Sequence, residues 1–150
     1  MNIEKLTIEN KELISLWRYE GEYSGFNYAL EKDGWLDSYC TRDSKSCFIA
    51  KKNSEIIGVF FFIEENENEF RILINPGFLN KGYGKTITSK AIDLGFKELL
   101  FTKISLIVRK NHPVAIKLYE KLGFKITGET NEKINNENIE FFKMKKSINS

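Results

Sequence analysis

Two short stretches carry the residue types that could do chemistry. The first is NKGYGKT, Asn80 to Thr86. It ends in Gly-Lys-Thr, and Gly82 and Gly84 would let a backbone approach a phosphate closely. The second is NHPVAIKLYEKLGF, Asn111 to Phe124, which places a polar Asn before Pro113 and a tyrosine, Tyr119, on an amphipathic helical pattern. A nucleotide-binding P-loop requires Gly-x-x-x-x-Gly-Lys-Ser/Thr. Counting back from Gly84, the first glycine belongs at position 79, which is Leu; Gly77 lies two residues too early. A dinucleotide Gly-x-Gly-x-x-Gly is also excluded, because position 87 is Ile. What remains is a glycine pair between a strand and a helix start. There the unpaired N–H groups and the helix dipole can hold a pyrophosphate. Taken alone, the loop reads equally well as a tight turn.

The elements that must position these stretches follow from periodicity. Residues 3–8 alternate as a short strand, and 11–20 place Leu13, Leu16, Trp17 and Glu20 at helical spacing, with Asn10 as the expected cap. A second helix is expected within 26–38. CFIAKK (47–52) and the run IIGVFFFIEE (56–65) read as a hairpin across a polar turn, and FRILIN (70–75) as a third strand halted by Pro76-Gly77. A helix is expected from about Gly82 to Leu99, with Ile87, Ala91 and Leu94 on one face. A strand at 103–110 follows, then a helix at 112–122 with Ala115, Leu118 and Leu122 inward. FKITGE and IEFFKMKK close as a hairpin across an Asn-rich loop at 130–138. The strand–helix–strand–helix stretch implies one parallel pair with a right-handed crossover in an otherwise mostly antiparallel sheet.

With that order in place, the two stretches together closely resemble the GNAT superfamily of acyl-CoA N-acyltransferases. Leu79 to Lys85 resembles the Gln/Arg-x-x-Gly-x-Gly/Ala loop, with Leu79 in the place of the usual Gln or Arg. Ala115, Leu118, Tyr119, Gly123 and Phe124 match the Asn-x-x-Ala-x-x-Leu-Tyr-x-x-x-Gly-Phe run at its spacing, and Asn111, one residue further from Ala115 than the run has it, is taken as its Asn. The likeness covers about residues 68–128. It implies an α/β (mixed α+β), GNAT-like fold, a twisted mixed sheet of about seven strands with four helices in the order β-α-α-β-β-β-α-β-α-β-β, as one domain over 1–150.

The resemblance also implies site residues. Backbone groups of Leu79, Asn80, Lys81, Gly82, Tyr83, Gly84 and Lys85 would grip the pyrophosphate of acetyl-CoA, with Lys117 adding charge. Main-chain groups of Ile72, Leu73 and Ile74 would pair with the pantetheine arm as an added strand and supply an oxyanion donor. Asn111 would orient the arm beside Ala115, with a helix N-cap as its other reading. Tyr119 would protonate the leaving thiolate, and Glu67 or Glu69 would serve as base, against the plainer reading of EENENE as a solvated turn. His112, the single histidine, reads as a surface residue. Trp17, Tyr19, Tyr23, Phe26, Tyr28 and Trp35 are either an acceptor wall or core.

The implied activity is transfer of acetyl from acetyl-CoA (CoA) to a small-molecule amine or a protein N-terminus by direct attack in a ternary complex. A non-catalytic acyl-CoA sensor is the alternative, and an NTP-binding domain is a third, disfavoured one.

Bulk properties agree. A chain of 150 residues, 41% hydrophobic and 29% charged, suits one soluble core. A net charge of +2 gives no argument for nucleic acid or a membrane surface, and Lys143, Lys145 and Lys146 read as a solvated strand end. Cys40 and Cys47 are expected to be reduced thiols, and no metal site is expected. MNIEKLTIEN lacks an apolar signal region and no run reaches membrane-spanning length, so a cytoplasmic protein is expected, and the resemblance implies a monomer or homodimer.

Overall fold

The computed structural model describes residues 1–41 and 44–149. Its elements are β1 (Asn2–Lys5), α1 (Ile8–Ser15), a 3-10 segment (Gly21–Leu30), α2 (Trp35–Tyr39), β2 (Cys47–Lys52), β3 (Glu55–Ile63), β4 (Glu69–Ile74), α3 (Tyr83–Lys97), β5 (Lys103–Arg109), α4 (Pro113–Lys121), β6 (Lys125–Ile134) and β7 (Glu137–Ser147). The seven strands form one mixed sheet in the order β1-β2-β3-β4-β5-β7-β6. This is the expected element order, with β4 and β5 paired in parallel at Glu69–Ser105. The chain packs as two compact units. Residues 1–62 and 71–87 make the first, and residues 63–70 and 88–150 the second.

In the first unit, β1, β2 and β3 pair antiparallel, with Ile3 opposite Ala50 and Phe48 opposite Phe60. The run IIGVFFFI is buried from Ile57 onward because an apolar strand with no alternation has both faces covered. Asn53 and Ser54 both take positive φ, at 52° and 71°, which is the backbone a two-residue hairpin turn demands. Gly58 is where β3 runs closest to its surroundings. A Cβ there would stand 3.0 Å from the Leu73 carbonyl oxygen and 3.1 Å from Ile87 Cδ1. Cys40 and Cys47 are buried free thiols.

Two local expectations in this unit are corrected. The cap of α1 is Thr7, whose Oγ1 accepts the Asn10 N–H at 3.1 Å, not Asn10 itself. The helix also ends at Ser15 and buries only Ile14, leaving Leu13 57% and Leu16 72% exposed. Leu16 and Trp17 therefore lie beyond it, and helical spacing there was coincidental. The expected second helix divides into the 3-10 segment and the five-residue α2, with Gly34 between them. A Cβ at Gly34 would sit 2.3 Å from the Tyr28 carbonyl oxygen, so close backbone packing breaks the helix there.

In the second unit, β5 pairs antiparallel with β7, and β7 with β6. The expected loop at 130–138 shrinks to Asn135-Asn136, with φ of 53° and 67°. Asn tolerates the left-handed region, so two of them turn the chain and the polar residues around them pair as strand. Pairing continues through Lys133–Asn138 and Ile134–Glu137. Lys145, expected as a solvated strand-end residue, instead pairs with Glu67 at 2.8 Å. Among the described residues, no helix is long and apolar enough to cross a membrane.

Candidate active site

The loop between β4 and α3 is built by its asparagines and glycines. Asn75 closes the strand: its N–H donates to the Ile57 carbonyl at 2.8 Å and its Nδ2 to the Ile56 carbonyl at 2.8 Å, while its Oδ1 accepts the Gly77 N–H at 2.9 Å. Sequence reasoning passed over Asn75, although Asn-Pro-Gly is a turn-initiating signal. Asn80 and Gly82 both take the left-handed conformation, at φ 61° and 82°, and turn the chain into α3. A Cβ on Gly82 would meet nothing within 4 Å, and one on Gly84 only Ile74 Cγ1 at 3.9 Å. Both glycines thus border open space.

The first backbone bond of α3 is Thr86 N–H to the Gly82 carbonyl at 3.4 Å. The N–H groups before it have no place in the helical ladder and are available to an anion. Tyr83 starts α3 with its hydroxyl accepting from Lys52 Nζ at 3.2 Å, and Lys81 Nζ lies 5.5 Å above the Phe78 ring. Lys85 is exposed.

On β4, Leu73 is buried, and Ile72 and Ile74 are half-buried. The Ile74 carbonyl accepts the hydroxyl of Tyr19. Tyr19 is buried, and burial pushes its phenol well above the ordinary tyrosine range. Of the aromatic run, Tyr19 is buried and Trp17, Tyr23, Phe26, Tyr28 and Trp35 are half-buried. Tyr19 meets Phe26 edge-on at 5.5 Å, and Tyr23 stacks on Phe26 at 6.4 Å. Trp35 packs edge-on against Tyr28 and carries the Arg71 guanidinium 4.4 Å above its ring.

In the second unit, Asn111 and Lys117 are exposed and Ala115 half-buried. The N-cap of α4 is His112, whose Nδ1 accepts the Ala115 N–H at 3.1 Å. Pro113 occupies the first helical position, where its missing N–H costs nothing. That makes residue 112 the cap and leaves the Asn111 side chain without a capping role. Tyr119 packs edge-on against Phe124 at 6.0 Å, and burial pushes its phenol up to about 12. A group so placed stays protonated throughout the neutral range, as an acid must.

The two carboxylates differ sharply. Glu67 is bound by Lys145 and Lys103, at 2.8 and 2.9 Å, and their ammonium groups hold its carboxyl down at about 2. Glu69 is buried, 5% exposed, and its Oε1 accepts from Asn66 Nδ2 at 2.8 Å. The neighbouring Asn66 carbonyl accepts from Ser105 Oγ at 3.1 Å.

Spermidine N(1)-acetyltransferase of Escherichia coli (strain K12) is 30% identical over 126 residues, covering 81% of this chain and 66% of that protein. The Vibrio cholerae spermidine N(1)-acetyltransferase is 32% identical over 122 residues, covering 77% and 67%. The chain thus spans about two thirds of the length of these relatives. The crystal structure of spermidine N-acetyltransferase from Vibrio cholerae in complex with CoA and spermine superposes with a TM-score of 0.76 at 26% identity, covering 96% of this chain and 93% of that one. The family model described as acetyltransferase (GNAT) family matches residues 9–124, from within α1 to the Gly-Phe that follows α4. The chain belongs to the acetyltransferase (GNAT) family.

Proposed function

We propose that this chain transfers the acetyl group of acetyl-CoA to a primary amine of a small polycation of the spermidine type, by direct attack. The observation that carries the reading is the left-handed Asn80–Gly82 turn, which aims the unpaired N–H groups of the α3 N-terminus past two glycines that border open space. Those groups suit a pyrophosphate without any side chain, so Leu79 in place of a polar residue removes nothing essential. Leu73 and the main-chain groups beside it on β4 are assigned to the pantetheine arm and to the carbonyl oxygen of the thioester. Asn111, with no capping duty, is assigned to orient the arm.

In the reaction the amine nitrogen forms a bond to the thioester carbon as the C–S bond breaks, and Tyr119 gives its proton to the departing sulfur. A phenol at about 12 yields that proton only to a thiolate stripped of water. The amine enters as an ammonium, and holding it neutral at pH 7 costs roughly 4–5 kcal/mol for an ordinary lysine-like amine. The base, acting through water, is assigned to Glu69, buried at the start of β4 with its Oε1 on Asn66, and Glu67 is held by Lys145 and Lys103. Glu69→Gln should lower kcat about 10²-fold, and Glu67→Gln less than threefold, in steady-state assays with spermidine. Equal losses in both variants would remove the assignment. The acceptor class draws on the two relatives named spermidine N(1)-acetyltransferase and on exposed Glu20, Glu22 and Glu31 around the aromatic run, carboxylates that attract a polycation.

The deciding experiment pairs thermal shift with turnover. Acetyl-CoA at 100 times its dissociation constant should stabilise the fold by about 2.7 kcal/mol, a rise of roughly 5–10 °C in Tm at this chain length. ATP with magnesium should give none. Free thiol should then appear when spermidine is added. A shift without thiol release, across a panel of amines, would replace the enzyme with an acyl-CoA sensor. No shift would end the reading.

A further inference from the structure

We propose that Tyr19 and Tyr23 are positioning residues that couple acceptor binding to the cofactor loop, an inference that rests on the acetyl-CoA reading of that loop. The two tyrosines bracket the short stretch YEGEY, Tyr19 to Tyr23. Each sends its hydroxyl to one end of the segment assigned to acetyl-CoA. Tyr19 donates to the Ile74 carbonyl, the last one on β4. The Tyr23 hydroxyl and the Asn80 side-chain amide bond each other at 2.8–3.0 Å, and Asn80 is the first left-handed residue of the turn that aims the α3 N–H groups. One five-residue stretch therefore holds both the strand end and the turn.

The Tyr19 end of the stretch is itself anchored. Asn27 pairs with the Tyr19 backbone in both directions: Oδ1 accepts the Tyr19 N–H at 2.8 Å and Nδ2 donates to the Tyr19 carbonyl at 2.9 Å. Phe26 contacts both tyrosine rings, edge-on to Tyr19 and stacked on Tyr23. The same aromatic run is the candidate acceptor wall. A ligand that orders the Asn80 turn consequently orders Tyr23 and Phe26, and an amine against that wall finds part of its ordering cost already met. The coupling is reciprocal: the amine must tighten acetyl-CoA by the same factor.

Asn80 is exposed and Tyr23 half-buried, so this bond is easily tested apart from the fold. Tyr23→Phe removes only the hydroxyl. Asn80→Gly removes the amide while keeping the left-handed backbone free of strain. The readout is the dissociation constant of CoA, a dead-end mimic of the donor, by calorimetry with and without saturating spermidine. The natural chain should bind CoA at least fivefold tighter with spermidine present. Each single variant should bring that ratio to within twofold of one, and the double variant should be no worse than either single, because both remove one shared bond. Steady-state KM for both substrates should rise together, with kcat reduced less. If the single variants keep the natural ratio, the coupling role is wrong. A natural chain that acetylates spermidine yet shows a ratio near one overturns the coupling while leaving the acetyltransferase reading intact. A natural chain that fails to bind CoA removes both.

Discussion

Tyr119→Phe is expected to lower kcat by about 10²–10⁴-fold, the range of a single general acid, while changing the dissociation constant of acetyl-CoA less than twofold. The ring is packed against Phe124 and keeps its shape in the variant, so the change removes a proton and little else. Among the described residues the Tyr119 hydroxyl makes no hydrogen bond within the protein, so its loss strands no buried partner. That separates this tyrosine from Tyr19, whose hydroxyl is committed to Ile74. The raised phenol also makes a statement about pH. An acid held at about 12 does not ionise between pH 6 and 10, so the alkaline limb of kcat in that window belongs to other groups. Unchanged turnover in the Phe variant, measured as thiol release at saturating acetyl-CoA, would pass the acid role to water.

Gly58→Val should cost the fold about 1–3 kcal/mol, the usual penalty for overpacking a closed core. At this chain length that is a fall in Tm of roughly 2–12 °C. A Cβ there would press on the Leu73 carbonyl oxygen at 3.0 Å, Ile87 Cδ1 at 3.1 Å and Ile74 Cδ1 at 3.3 Å. The first is backbone and cannot swing aside. Relief must come from moving β4, the strand assigned to the pantetheine arm, so acetyl-CoA affinity should fall along with Tm. Gly128→Ala is the control. Its Cβ would meet only Lys143 Cδ at 3.8 Å, an ordinary contact, and calorimetry should show Tm within about 2 °C of the natural chain. A Gly58→Val protein as stable as that control would mean β4 is not held against β3 as closely as the distances indicate.

Much of the fold was legible in the order of residues because the signals are local. The apolar run of β3 and the amphipathic spacing of α3 give type and place without knowledge of neighbours. Where the reading missed, a short-range competitor was present. Thr7 outbid Asn10 as cap because its hydroxyl sits three residues before the N–H it accepts. Asn135 and Asn136 turned the chain in two residues where a long loop was expected, because both adopt positive φ. Pro113 moved the α4 cap to His112, and with it freed Asn111.

The sequence by itself determined the family resemblance, the strand–loop–helix around Gly82 and Gly84, and the spacing of Asn111, Ala115 and Tyr119, since each depends on residues within one or two turns of each other. Only tertiary structure decided the electrostatic fate of the two glutamates. Glu67 and Glu69 are near neighbours in one acidic run, yet Glu67 meets Lys145, 78 positions away, and Lys103, while Glu69 turns inward to Asn66. It alone also decided that Tyr19 reaches Ile74 across 55 positions and Tyr23 reaches Asn80 across 57. Charge and hydrogen-bond partnership depend on distance through space, and no local pattern encodes which distant residue will arrive.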